Sequence, residues 1–148
     1  MKKSIKLLNK IFVLTLLLIV IFTLSGCGSM KKELSRSKEV TITFFQYLNE
    51  EKYEDATKLF HPDTNYTVNA LKDTVEKLEQ SYNLNFNEEF KIERSTSINI
   101  SLFDSQFDGT RAEVTFEALL GEDEIYIYIL TVENDNGYGI YSLNIQNR

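Results

Sequence analysis

Four segments in the C-terminal half of the chain alternate apolar and polar residues with a period of two. They cover residues 97–103, 111–120, 124–133 and 138–146. Because successive side chains of a β-strand point to opposite faces, this period predicts four strands that each bury one face. Turn residues separate them, namely Asp108-Gly109, the GEDE run after Leu120, and NDNG with Asn136-Gly137. Short connections of this kind join sequential hairpins, so the sequence predicts an antiparallel sheet.

One face of the predicted sheet is continuous and apolar. Its members are Val114, Phe116, Ala118, Ile125, Ile127, Ile129, Tyr141, Leu143 and Ile145. An apolar face of this size must be covered, so we expect helices to pack against it and form the core. The start of the first strand is less well defined, since residues 90–92 either begin that strand or form a short strand before it.

Residues 35–82 contain three apolar patterns with the spacing of amphipathic helices. The first has Val40, Phe44, Tyr47 and Leu48, the second Tyr53, Ala56, Leu59 and Phe60, and the third Leu71, Val75, Leu78 and Tyr82. Ser35 or Ser37 is expected to cap the first helix, and Thr67 or Asn69 the third. Pro62 disfavours helical geometry at His61, so the second helix should end near Phe60. The predicted fold class is α+β, with N-terminal helices packed on a curved four-stranded antiparallel sheet.

The N-terminus has the layout of a signal peptide. An apolar run of 14 residues, 11–24, follows four lysines and no acidic residue. Such a run is shorter than the about 20 residues that a transmembrane helix needs, and small residues follow it. Residues 1–26 are therefore predicted to be removed, which leaves residues 27–37 as a tether and residues 38–148 as one domain.

The end of this segment, Leu24-Ser25-Gly26-Cys27, resembles the lipobox of bacterial lipoproteins at every position. The resemblance implies cleavage between Gly26 and Cys27 and a diacylglyceryl group on the Cys27 thiol. The protein would then be anchored in the cell membrane on its extracytoplasmic face. The alternative is that Cys27 is an incidental thiol near an ordinary secretory cleavage site or an uncleaved anchor.

Charge and composition limit the partners and cofactors that the chain can bind. The chain has 16 Lys and Arg and 22 Asp and Glu, and residues 1–26 contain four of the lysines. The mature chain would carry a net charge of 12 − 22 = −10. Nucleic acid is an improbable partner, because its binding depends on a basic surface. With one histidine and one cysteine the chain has no zinc ligand set, and we predict no cofactor.

Residues 38–64 are similar to the opening helices of the nuclear transport factor 2-like superfamily, whose cone-shaped α+β fold has a cystatin-like relative. The similarity lies in an aromatic-rich helix, then Tyr53 and Ala56 in a short element, then Leu59-Phe60 and the exit at Pro62-Asp63. The resemblance implies three helices followed by a curved sheet that together enclose a cone. Members of this superfamily include both carriers and enzymes, so the fold alone does not assign a function.

Candidate catalytic and metal-binding residues are few. His61, the single histidine, follows the second predicted helix, where a C-terminal capping or surface role is favoured over catalysis. Asp104, Gln106, Asp108 and Gly109 have the spacing at which an EF-hand calcium loop begins. Thr115 stands where that loop needs a glutamate, and the flanking elements are strands, so a hairpin turn is favoured. We therefore predict no catalytic residue and no metal site.

The second face of the predicted sheet combines tyrosines with aliphatic and acidic residues. Tyr126, Tyr128 and Leu130 share this face with Glu113, Thr115, Glu117 and Leu119 of the neighbouring strand if the register is regular. Tyrosine is enriched at protein interfaces, so this face is a candidate surface for a protein partner or for a homodimer. The alternative is that the tyrosines only stabilise an exposed sheet through cross-strand contacts.

Three functional hypotheses follow from these features. The first is a membrane-anchored, non-enzymatic binding or assembly module that uses this tyrosine-bearing face or the opening of the cone. The second is a small lyase or isomerase whose pocket holds His61 or a buried carboxylate with a tyrosine. The third is an immunity or inhibitor lipoprotein that blocks an incoming toxin at the membrane.

Overall fold

The structure is a computed structural model that describes residues 28–148. Residues 34–148 form one compact unit, and the elements of this unit are as follows. The predicted signal peptide and its cleavage site, including Cys27, lie outside the described residues. Within residues 28–148, no helix has both the length and the apolar character that a membrane span requires.

Helices precede a single four-stranded sheet. Helix α1 runs over residues 28–49 and contributes residues 34–49 to this unit. It is followed by α2 at Tyr53–Thr57, a 3₁₀ turn at Pro62–Thr64 and α3 at Val68–Tyr82. The strands are β1 at Phe90–Asp104, β2 at Gly109–Leu120, β3 at Asp123–Asn134 and β4 at Gly137–Asn147. All neighbouring strands are antiparallel and follow the order β1-β2-β3-β4. The predicted α+β class, with helices followed by an antiparallel sheet, is confirmed.

The core lies between the helices and the predicted apolar face of the sheet. Phe44, Phe45 and Leu48 of α1 are buried together with Leu71 and Val75 of α3. The sheet residues buried with them are Val114, Phe116, Ala118, Ile125, Ile127, Ile129, Ile140 and Ile145, and Leu143 packs against this cluster. The period-two pattern therefore identified the buried face of β2 and β3.

Tyr141 was expected in the core, but 38% of it is exposed. The register of β3 and β4 shifts at this point, since Leu130 pairs with Ser142 and Thr131 pairs with Ile140. Tyr141 is thus the additional residue of a β-bulge, and Ile140 takes the fully buried position. A bulge changes the phase of the alternation, which a strict period of two does not represent.

The predicted helix ends are correct for α3 and wrong for the other two helices. Thr67 caps α3, because its hydroxyl oxygen accepts a hydrogen bond from the Ala70 N–H at 3.2 Å. Ser35 and Ser37 lie inside α1 and do not cap it. The Ser37 hydroxyl is buried and lies 3.1 Å from the Thr131 hydroxyl, so it joins α1 to β3.

Helix α2 ends at Thr57, three residues before the predicted end. Lys58 and Leu59 form a turn, and the chain then pairs with the edge of β4 at Phe60. The Ile140 N–H donates to the Leu59 carbonyl and the His61 N–H donates to the Ile140 carbonyl, each at 2.8 Å. This parallel bridge between Phe60 and Ile140 replaces the last helical turn.

The hairpin loops occur where turns were predicted, but two have different central residues. Gly121 has a φ of 61° and is the first residue of the two-residue loop between β2 and β3, which favours a type II′ turn. Asn134 pairs with Gly137, so Asp135 and Asn136 form the last loop rather than Asn136-Gly137. Residues 105–108 form the first loop, because Asp104 pairs with Gly109.

Candidate functional site

The outer face of the sheet, on the side opposite the core, brings together the residues that the alternation placed there. Tyr126 pairs directly with Glu117, Tyr128 with Thr115, and Leu130 with Glu113. Tyr128 is 41% exposed, whereas Tyr126 and Leu130 are partly buried. The two tyrosine rings lie 6.5 Å apart between centroids. We call the seven residues Glu113, Thr115, Glu117, Leu119, Tyr126, Tyr128 and Leu130 the tyrosine face.

The Tyr126 end of this face is charged. The Arg94 guanidinium donates two hydrogen bonds to the Glu117 carboxylate, at 2.7 and 3.0 Å. These hydrogen bonds lower the pKa of Glu117 from its ordinary value, and the same contact raises the pKa of Arg94. Arg148 donates to Glu124 at 2.7 Å, and its guanidinium carbon lies 6.0 Å from the centre of the Tyr126 ring. A depression of about 420 Å³ lies among these side chains.

The Tyr128 end is mostly neutral. Tyr128 pairs with Asn144 of β4, and Leu130 pairs with Ser142. The Asn99 amide donates to the Glu113 carboxylate at 3.1 Å. A second depression of about 420 Å³ has Tyr128, Leu130, Glu113 and these polar side chains in its lining. The face therefore offers an aromatic ring and an aliphatic side chain, surrounded by hydroxyl and amide groups.

His61 lies in a different part of the molecule and has a structural environment. Its ring is buried, Nδ1 accepts a hydrogen bond from the Asp63 N–H at 3.2 Å, and Nε2 lies 3.1 Å from both the Asn134 side-chain oxygen and the Gly137 carbonyl. Since both neighbours of Nε2 are acceptors, Nε2 is the donor of this ring and Nδ1 is the acceptor. The expected C-terminal cap of α2 is wrong, because His61 instead precedes the 3₁₀ turn and caps its N-terminus.

The segment that shares the spacing of a calcium loop is a hairpin loop between β1 and β2. One Asp104 oxygen accepts a hydrogen bond from the Gln106 N–H at 2.9 Å, and the other lies 3.5 Å from Arg111 Nε. Asp108 has a φ of 55°, a left-handed conformation that aspartate tolerates better than most residues. Residues 28–148 contain no group of three or more metal-ligating side chains arranged around a common point.

A cavity of about 170 Å³ lies between the helices and β4. Aromatic and aliphatic side chains form most of its lining, including Phe44, Phe60, Tyr66, Val75 and Leu143. Tyr66 stacks on Phe60 with 4.2 Å between ring centroids, and the Tyr66 hydroxyl lies 2.9 Å from the Thr74 hydroxyl at the rim. No carboxylate, amine, guanidinium or imidazole belongs to the described lining, and His61 is not part of it.

Sequence reasoning identified the tyrosines of the outer face but missed their polar neighbours. Arg94 lies in a part of β1 where two register shifts, between Ile92 and Arg94 and between Ser95 and Ser97, remove any regular alternation. Arg148 follows the last strand. The sequence shows that Arg94 and Arg148 are present, but no pattern around either residue indicates on which face of the sheet it lies.

Comparisons with protein-family models, with curated proteins and with solved structures found no match to this chain.

Proposed function

We propose that this chain is a membrane-anchored extracytoplasmic lipoprotein whose C-terminal domain binds a protein partner through the tyrosine face and does not act as an enzyme. The anchoring part rests on the sequence Leu24-Ser25-Gly26-Cys27, with a diacylglyceryl group on Cys27 after cleavage at Gly26. The binding part rests on the geometry of the sheet. A lipid anchor and a binding surface together would hold a partner close to the membrane.

One observation carries the binding proposal: Tyr128 is 41% exposed in the middle of a face whose neighbouring side chains supply both apolar and hydrogen-bonding groups. A tyrosine in such a position contributes a large rigid contact area at a low cost in side-chain entropy. Leu130 extends the apolar part, and Glu113, Asn144 and Ser142 offer partners for polar groups. The chemistry fits a protein surface with its own mixture of apolar and hydrogen-bonding side chains.

We propose further that the domain is a nuclear transport factor 2-like cone. The support is the order of three helices followed by an antiparallel sheet, together with the register shifts in β1 and β4. β-Bulges bend the strands that contain them, so these shifts favour a sheet that curves around the helices. The cavity of about 170 Å³ would then be the interior of the cone.

The two alternatives have less support. A lyase or isomerase in this cavity was expected to use His61 or a carboxylate together with a tyrosine, and the described lining contains tyrosines but neither an imidazole nor a carboxylate. The His61 ring is already engaged by Asp63, Asn134 and Gly137. An immunity or inhibitor lipoprotein would bind its toxin as any binding module binds a partner, so identification of the partner separates this alternative from an assembly role.

The test is a pull-down from detergent-solubilised membranes of the cells that produce the protein. The intact protein is compared with a Tyr126→Ala/Tyr128→Ala variant and with Tyr82→Ala. Tyr82 lies on α3 and is 38% exposed, close to the 41% of Tyr128, so it is the matched control. We expect one partner that the intact protein and Tyr82→Ala retain and the double variant loses. With the purified partner, loss of an interface tyrosine of this kind weakens binding about 30-fold.

Two outcomes would contradict the proposal. The first is a partner that all three proteins retain with equal affinity, which would place the interface elsewhere. The second is the absence of any partner for the intact protein at a bait concentration that saturates a known control complex. Far-ultraviolet circular dichroism of each variant shows that the sheet is intact, so a loss of binding is not a loss of fold.

A further inference from the structure

The most exposed large apolar side chain among residues 28–148 is Phe103, near the end of β1. It is 94% exposed, and the adjacent Leu102 is 45% exposed. Single exposed apolar residues are common on proteins, but an almost fully solvated phenylalanine ring beside an exposed leucine forms an apolar projection. The hairpin therefore presents a ring of about the size of benzene to the solvent.

The structure holds Phe103 in this position. The register of β1 and β2 shifts between Ser101 and Asp104, so that Leu102 and Phe103 together lie opposite Thr110. The Phe107 N–H donates to the Asp104 carbonyl at 3.2 Å, and the Phe107 carbonyl accepts a hydrogen bond from the Asn134 amide at 3.0 Å. Phe107 itself is buried. The loop thus buries one phenylalanine and projects the other.

The cavity beside β4 has the dimensions that a phenyl ring needs. Its volume is about 170 Å³, and an engineered apolar cavity of about 150 Å³ in another protein binds benzene. Phe44, Phe60 and Tyr66 supply aromatic edges and faces to its wall. The described lining carries no charged group, so a phenyl ring could enter without desolvating an ion.

The projection and the cavity lie at opposite edges of the sheet. Phe103 belongs to β1 and the cavity is bounded by residues of β4, and the strand order is β1-β2-β3-β4. Three strand spacings separate the two edges, about 14 Å. We propose that Phe103 of one copy of this chain inserts into the cavity of a second copy, so that copies associate head to tail.

The charges next to Phe103 permit such a contact. Asp104 is the nearest ionisable residue in the sequence, and its carboxylate is paired with Arg111 and with the Gln106 N–H. Burial of Phe103 and Leu102 therefore does not bring an unpaired carboxylate into an apolar cavity. Because each contact uses a different surface of each copy, the association leaves one projection and one cavity open and extends to chains or closed rings.

The experiment uses the full chain in detergent with the photoreactive phenylalanine analogue p-benzoylphenylalanine at position 103. Equal amounts of ¹⁴N- and ¹⁵N-labelled protein are mixed and irradiated, and cross-linked peptides are identified by mass spectrometry. We expect cross-links from position 103 to α3 or β4 residues of the cavity, with mixed isotope pairs that show contact between copies. The same analogue at Ile42, which is exposed on α1, is the control and should not label the cavity.

A complementation experiment tests the head-to-tail geometry. Thr74→Phe places a ring at the rim of the cavity from an exposed helical position, so that the core residues are unchanged. A Thr74→Phe chain that carries the analogue at position 103 should cross-link to itself at least tenfold less than the protein with an open cavity. Mixed with Phe103→Ala chains, whose cavity is open, it should recover cross-linking and give dimers but no larger species.

Three outcomes would overturn the proposal. They are cross-links from position 103 to detergent or lipid alone, cross-links to other surfaces of the second copy, and self-cross-linking of the Thr74→Phe chain at the level of the open cavity. A small aromatic molecule that binds the cavity and leaves the cross-links unchanged would also contradict it. Circular dichroism of Thr74→Phe and Phe103→Ala confirms that each variant is folded.

Discussion

At the scale of single residues, His61 connects two segments that are far apart in the sequence, its own and the β3-β4 turn. Its ring contacts Asn134 and Gly137, which lie 73 and 76 positions later, and it also accepts the Asp63 N–H. Gly139 lies so close to this segment that an added Cβ would be 2.6 Å from the backbone nitrogen of His61. The contact between these two segments therefore depends on the hydrogen bonds of His61 and on the absence of a side chain at Gly139.

We expect His61→Phe to lower the free energy of unfolding by about 2 kcal/mol, because it leaves the Asp63 N–H without its acceptor and removes the Nε2 donor shared by the Asn134 side-chain oxygen and the Gly137 carbonyl. Urea unfolding measures this change. His61→Gln keeps a donor and an acceptor and should cost less than His61→Phe. Equal stability of His61→Phe and the unchanged chain would show that these hydrogen bonds do not hold the segment.

Local sequence patterns identify some of these residues and not others. Tyr126 and Tyr128 were placed on the outer face correctly, because strand alternation depends only on neighbours in the sequence. The surroundings of His61 could not be predicted in the same way, since they depend on where the β3-β4 turn meets the segment after α2. The local pattern predicted that α2 would continue to Phe60. In the structure Phe60 pairs with β4 instead.

At the scale of elements, β1 shows where sequence prediction reached its limit. It is one strand of 15 residues, but it is an edge strand with three register shifts, and most of its side chains are exposed. Only part of it, residues 97–103, alternates clearly. By contrast, alternate residues are buried from Ala112 to Leu120 in β2 and from Ile125 to Thr131 in β3, which is why their pattern predicted the core correctly.

The ion pair between β1 and β2 predicts a pH dependence. Because the Arg94 hydrogen bonds lower the pKa of Glu117 in the folded state, their contribution to stability is present above the ordinary glutamate pKa of about 4.3. It is lost as the pH falls through the lower folded value, where the carboxylate takes up a proton.

Arg94→Gln should therefore destabilise the sheet at pH 7 and have no further effect at pH 2, as measured by urea unfolding at both values. The Glu117 pKa, followed by NMR, should rise toward its ordinary value in this variant. A destabilisation of the same size at both pH values would mean that the arginine acts through packing of its side chain. Lys91→Gln, which removes an exposed pair with Glu93, is the matched control.

At the scale of the whole molecule, the proposed anchor is tested at Cys27. The protein purified from the cell envelope should begin at Cys27 and carry the additional mass of a diacylglyceryl group. Cys27→Ala removes the thiol that would take the lipid, so this additional mass should be absent and residues 1–26 should remain. Intact-protein mass spectrometry measures both, and Ser29→Ala serves as the control. Equal additional masses on the two variants would contradict lipidation at Cys27.

The pairing of Phe60 with Ile140 also has a consequence for how the protein is made. Arg36 and Ser37 of α1 meet partners 97 and 94 positions later, and the segment after α2 pairs with the last strand. A ribosome completes the helices long before it delivers the strands that cover them. Until Gly137–Asn147 emerges, the apolar faces of these amphipathic helices are exposed and can aggregate. A premature stop codon that removes β4 should therefore give an unfolded chain that proteases degrade, and not a shortened domain that still folds.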